Sequence, residues 1–220
     1  SKVDLLDDSV VELRDTVGLN VAVRHNDLTL HFGHAEAKFG YLRNGGNSAP
    51  LANALKSAGP DGRALASEIS GNNGHARFDS IGFQWDDGRY IVTGEYAKRR
   101  TNRYIASTEG GYLSLGRRVG AWTPYLSYAQ QNTLEPTLRG TVPPGFGPSV
   151  QLFNLARDNA QKSVTLGTRW DLNRTVALKA EWSRARLDDY STGSFYPPTA
   201  LIASRIGGRS FNTLSISMDV

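Results

Sequence analysis

Period-2 alternation of apolar and polar residues recurs in segment after segment of this chain, and helical 3.6-residue spacing is nearly absent. Successive side chains of a strand point to opposite faces, so a chain patterned this way folds as sheet with one apolar and one polar face. Val17, Leu19, Val21 and Val23 alternate with Asn20, Ala22 and Arg24, and Leu28, Leu30 and Phe32 alternate with Thr29, His31 and Gly33. The same pattern holds for Ile81, Phe83 and Trp85, for Val92 and Tyr96, for Leu113 and Leu115, and for Trp122, Leu126 and Tyr128. It returns at Val164, Leu166 and Trp170, at Leu178, Ala180 and Trp182, and at Leu214, Ile216 and Met218. Nine strands are expected, the first over residues 16 to 24.

The segments run about 9 to 12 residues, against the 5 to 6 usual in globular sheets and the 9 to 11 that cross a bilayer when tilted. Their polar faces carry Arg24, Glu95, Arg99, Arg118, Arg169, Lys179, Glu181 and Asp219 among small glycines and serines. Such a face suits a water-filled interior better than a dry core, and these eight are the candidate lumen-facing residues. Trp85, Tyr90, Trp122, Trp170 and Trp182 fall near segment ends, as expected of interfacial anchors. A soluble sandwich with an aromatic core is the other all-β reading, although its strands are shorter and its turns closer together.

Connections alternate between short and long. His25 to Asp27, Asp87-Gly88, Val119 to Ala121 and Leu172 to Arg174 are tight, whereas residues 40–75, 131–161 and 187–209 are long and rich in Gly, Pro, Asn and Ser. Short periplasmic turns and long extracellular loops are the habit of transmembrane barrels. Residues 1–15 are read as a lead-in on the extracellular side, with Val3, Leu5 and Val10-Val11 giving slight support for a further strand. Leu51 to Ala58, closed by Gly59-Pro60, has the composition of a short helix. No linker divides residues 1–220, which read as one domain.

Composition removes several chemistries. With no cysteine in 220 residues, disulfides, thiolate metal sites and cysteine nucleophiles are excluded. No apolar run approaches the roughly 18 residues of a membrane-crossing helix. Ser1 to Asp8 lack the basic start and apolar core of a secretory leader. The net charge of +4 is spread along the chain, from Arg24 to Arg205, rather than gathered as a nucleic-acid footprint. His31 and His34, three apart on a strand, face opposite ways and do not share a metal. Asp86-Asp87 and Asp188-Asp189 sit in turn and loop-edge contexts. There is no phosphate loop and no dinucleotide fingerprint, so no cofactor is expected. A membrane hydrolase would need a serine, a histidine and an orienting partner in one cluster, which the sequence neither shows nor forbids.

Residues 116–130, GRRVGAWTPYLSYAQ, and 167–185, GTRWDLNRTVALKAEWSRA, resemble the later hairpins of Gram-negative outer-membrane porins. Residues 211–220, FNTLSISMDV, are similar to a porin closing strand, which usually ends on an aromatic residue, so a short truncation after Val220 is expected. The resemblance implies an antiparallel up-and-down transmembrane barrel, this chain being the C-terminal part of a 16-stranded general diffusion porin. It implies an outer-membrane location, a homotrimer, and contact with outer-membrane lipid and lipopolysaccharide. The constriction residues of such porins lie in the N-terminal half and do not transfer.

The expected function is therefore a non-enzymatic channel for passive diffusion of small hydrophilic solutes. Five bases (Arg24, Arg99, Arg118, Arg169, Lys179) against three acids (Glu95, Glu181, Asp219) on the inward parity imply weak anion preference. A non-channel surface barrel, adhesive or structural, that binds partners through its long loops is the alternative.

Overall fold

The computed structural model describes residues 2–4, 9–43, 49–69, 73–194 and 206–219. Its strands are β1 (Lys2–Asp4), β2 (Ser9–His25), β3 (Leu28–Arg43), β4 (Gly74–Asp86), β5 (Tyr90–Thr101), β6 (Ser107–Arg117), β7 (Trp122–Glu135), β8 (Gln161–Asp171), β9 (Ala177–Leu187) and β10 (Ser210–Asp219). They form one antiparallel sheet in strict sequence order, from β1 to β10. Tight reversals explain why each long strand pairs with its successor. Asn26 takes a positive φ of 51° between β2 and β3, and Gly88 one of 85° between β4 and β5. Asp87 accepts hydrogen bonds from the backbone N–H groups of Arg89 and Tyr90 at 2.8 and 2.6 Å, so this acidic pair closes a turn.

The sheet is open. Among the described residues β10 pairs only with β9, and β1 only with β2. Closure would require the first strand to hydrogen-bond to the last along its length, and the three residues of β1 face no part of the ten of β10. The expected closed transmembrane barrel is thereby corrected to an open meander of nine long strands and one short one. A passive channel falls with it, because a sheet with two free edges encloses no lumen, and so does an adhesive barrel. The β2 strand is longer than expected, beginning at Ser9, with a bulge between Arg14 and Val17 where Asp15 takes a φ of 48°. The slight signal at Val10-Val11 is the start of β2. Leu5, residues 44–48, 195–205 and Val220, on which the readings of the lead-in, loops and truncation partly rest, lie outside the described residues.

Short helices occupy two of the long connections. α1 (Ala49–Lys56) and α2 (Gly59–Ile69) lie between β3 and β4, and α3 (Gly147–Leu155) between β7 and β8. The short helix expected before Gly59-Pro60 is α1; Gly59 then turns the chain with a φ of 81°, and Pro60 sits in the first turn of a second helix, α2, where its missing N–H costs nothing. Leu55, Leu65, Ala66 and Ile69 pack with Leu138, Val150 and Phe153 into a small apolar core. The Asn154 side chain clamps Leu138 from both sides, accepting from its N–H at 2.8 Å and donating to its carbonyl at 3.2 Å. The Arg157 guanidinium lies 3.5 Å from the centre of the Phe153 ring and 4.5 Å from that of Tyr104. These helices cap the long-connection end of the sheet, where Arg139 donates to the Thr101 carbonyl and Arg103 to that of Ser67.

Candidate functional site

Register fixes which residues share a face, because directly paired residues lie on the same side. One face carries Val21, Val23, Phe32, Ile81, Leu115, Leu126, Leu166, Leu214 and Ile216. Nothing covers it among the described residues: Ile216 is 76% exposed, Leu214 74%, Leu19 65% and Leu166 52%. At the short-turn rim of this face Trp122 and Trp170, paired across β7 and β8, stack with ring centres 4.9 Å apart. Tyr90 stands at the same rim between Arg89 and Arg117. Trp182, expected at an interface, pairs with Leu166 and Leu214 in the middle of the band instead. The opposite rim is charged. Asp79 accepts from Arg77 at 2.8 Å and pairs with His34 at 2.7 Å, and Glu109 accepts from Tyr96 at 2.7 Å and from Lys98 at 3.3 Å.

The other face is polar; the pairing places seven of the eight candidate residues on it, and the eighth, Arg118, just past the end of β6, reaches Asp86 there. They gather in three groups. At the short-turn end, Arg24 and Arg118 flank a recess of about 440 Å³ shared with Asp27, Thr29, Gln84 and Asp86. Arg118 grips Asp86 with both guanidinium nitrogens, one at 2.7 Å, and that carboxylate raises the arginine above its ordinary value. Nearer the long-connection end, Glu95 and Arg99 line a second recess of about 430 Å³ with Tyr112, Gln131, Gln161 and Ser163. Toward β10, Arg169 bridges Asp171 at 2.7 Å and Asp219 at 2.8 Å, while Lys179 pairs with Glu181 at 3.0 Å.

The third group shows why small residues punctuate this face. Tyr125, Gly167 and Glu181 are directly paired across β7, β8 and β9. With no side chain at Gly167, the Tyr125 ring lies flat over the middle strand and its hydroxyl donates to Glu181 at 2.6 Å. A Cβ at Gly167 would stand 2.2 Å from the ring. Lys179 lies 5.6 Å from the same ring centre. Ser114 and Ser127 (2.6 Å), and Thr165 and Ser183 (2.7 Å), link adjacent strands in the same way.

Tyr125, Asp86 and Asp171 belong to this face but were not among the sequence candidates. Asp171 stands two residues from Arg169 on one strand, a parity signal present in the sequence. Asp86, in the sequence, carries only a turn signature. These two acids offset the expected excess of two positive charges, and with it the basis for anion preference. His31 shares the polar face with Gly82, and His34 the opposite face with Asp79. Among the described residues no group of three or more His, Asp or Glu could hold a metal.

No protein-family model and no curated protein sequence matches the chain. Solved structures do. An anion-selective porin from Comamonas acidovorans superposes with a TM-score of 0.57 at 13% identity, over 99% of this chain and 57% of that one. A loop-deletion form of OmpT, an outer membrane protein of Vibrio cholerae, gives a TM-score of 0.49 at 10% identity, over 82% and 54% of the two chains. The Pseudomonas putida toluene transporter TodX gives 0.36 at 12% identity, over 81% and 55%. The chain thus spans a little over half the length of the proteins it resembles, all of them outer-membrane or transport proteins by description. The likeness is one of fold. It corrects the reading of this chain as a portion of a general diffusion porin barrel: the antiparallel course is shared, the closed wall is not.

Proposed function

We propose that this chain is a non-catalytic, bilayer-embedded wall of the bacterial outer membrane, with lipid against its apolar face and water against its charged face. The observation that carries this reading is the uncovered apolar face. A water-soluble monomer rarely exposes a contiguous apolar patch larger than a few hundred Å², whereas here a band of large aliphatic and aromatic side chains crosses β2 to β10. From Trp170 to Lys162 along β8, eight residue steps span about 27 Å at the ordinary strand rise, comparable to the roughly 25 Å apolar band of membrane-crossing sheets. The stacked tryptophans and Tyr90 at one rim, and ion pairs at the other, suit its two interfaces. The tight reversals then face the periplasm, and the helical cap of α1, α2 and α3 faces outward.

Open edges are not tolerated in hydrocarbon. Residence in the bilayer therefore requires partners for the unpaired edges of β1 and β10.

Depth-resolved fluorescence tests the reading. With the four native tryptophans replaced by phenylalanine, Leu126→Trp in phosphatidylcholine vesicles should be quenched strongly by lipids brominated near the chain ends. Ser127→Trp, its neighbour on the other face, should be quenched by aqueous acrylamide instead. Equal behaviour of the two positions would refute the reading.

A further inference from the structure

On the β8–β9 part of the charged rim the pairing of opposite charges stops. Lys162 and Arg186 are directly paired across these strands, and Arg184, two residues from Arg186 on the same face, pairs with Val164 and Asn212. All three are exposed, and among the described residues none makes an ion pair or side-chain hydrogen bond. Like charges placed directly opposite on a sheet are destabilising. Elsewhere on this rim, Arg77, which faces Arg100 across β4 and β5, is offset by Asp79, and Lys98 by Glu109. Beside Lys162, Arg184 and Arg186 the flanking positions are Gln130, Asn212 and Ser210, which donate to an anion but supply no charge. Directly below lies unbroken apolar wall: Tyr128, Val164, Leu166, Trp182 and Leu214.

We infer that Lys162, Arg184 and Arg186 hold the phosphate of an anionic lipid head group whose acyl chains lie on this wall. Paired strand positions stand about 5 Å apart at Cβ and alternate positions along a strand about 7 Å apart, so the three cations converge on a volume that one phosphate can bridge. Two guanidinium groups supply bidentate donors matched to phosphate oxygens. Lipid rather than free anion is the source, because the triad sits at the polar edge of the apolar band. The inference rests on the lipid-facing assignment proposed above and names what that face recognises.

The test uses the full chain with Trp182 as its sole tryptophan, reconstituted in phosphatidylcholine vesicles. Acyl-brominated phosphatidic acid or acyl-brominated phosphatidylcholine is added at equal mole fraction, and quenching reports the local enrichment of each. Phosphatidic acid should be enriched about fivefold or more, the effect of a single basic side chain at a lipid surface. The preference should vanish in Lys162→Gln, Arg184→Gln, Arg186→Gln and persist in Lys98→Gln, whose charge is already paired. Equal quenching by both lipids, or loss of preference in Lys98→Gln as well, would overturn the site while leaving the lipid-facing wall intact. Absence of quenching by either lipid would overturn the wall itself. Displacement of phosphatidic acid by millimolar inorganic phosphate would assign the triad to a free anion and overturn the lipid source.

Discussion

Replacing Gly167 by alanine probes the packing of the polar face most directly. The added Cβ would stand 2.2 Å from Tyr125 Cζ and 2.3 Å from its hydroxyl oxygen, so the ring must lift off β8 and its 2.6 Å hydrogen bond to Glu181 must break. Forcing a methyl into an occupied space costs about 1–3 kcal/mol. A hydrogen bond to a charged acceptor contributes about 1.5–3 kcal/mol, and here the lower end applies because Glu181 is partly solvated. Alanine returns about 0.5–1 kcal/mol through its smaller loss of backbone freedom in a strand. The net expectation is a destabilisation of about 2 kcal/mol, read as a shift of the urea midpoint for unfolding from vesicles. Gly116→Ala, on the same face but with nothing nearer than 3.5 Å to the new Cβ, should change stability by less than about 0.5 kcal/mol. In a Tyr125→Ala background the space is free, so the cost of Gly167→Ala should disappear or reverse. If Gly167→Ala matched Gly116→Ala, or kept its full cost without the tyrosine, the ring would not lie where the structure puts it.

On the apolar face, Leu166→Arg should destabilise the bilayer-embedded protein by about 2–4 kcal/mol, while Thr165→Arg beside it should fold normally; equal cost in vesicle refolding would reverse the face assignment. In the cap, Leu55→Ala removes a fully buried side chain and should cost about 2–5 kcal/mol. Its hydrogen exchange should quicken in α1 and α2 and not in β8 to β10, and uniform quickening would show that cap and sheet are one cooperative unit. The Asp87 carboxyl is held below its ordinary value by the backbone N–H groups of Tyr90 and Arg89. Its contribution is therefore complete above the ordinary carboxylate pKa and lost as pH falls through the lowered one. Asp87→Asn should flatten the acid limb of the stability curve below about pH 4; an unchanged limb would show that the turn does not depend on the charge.

Sheet pairing and face assignment were legible in the sequence because both are local. A strand alternates with period 2, and short reversals such as Asn26-Asp27 and Asp87-Gly88 leave the next strand little choice of partner. Parity alone therefore put Arg24, Glu95, Arg99, Arg169, Lys179, Glu181 and Asp219 on one face, where the pairing places them, and Arg118 joins them through its grip on Asp86. The alternation of Leu166 with Thr165, or of Ile216 with Ser215, is the same inside an open sheet and a closed barrel, so it says nothing about edges.

Only the tertiary structure decided what depends on residues distant in the chain. Whether β10 meets another strand is a matter of hydrogen bonds at the far edge, and among the described residues it meets β9 alone. The helices of the long connections gain their stability from burial against one another rather than from propensity, as Leu55, Leu65 and Phe153 do across three separate segments; residues 136–160, rich in Gly and Pro, carry no such pattern by themselves. The reach of Tyr125 over Gly167 to Glu181, and the charge balance set by Asp86 and Asp171, likewise required three strands to be laid side by side, because cross-strand register exists only between segments and not within any one of them.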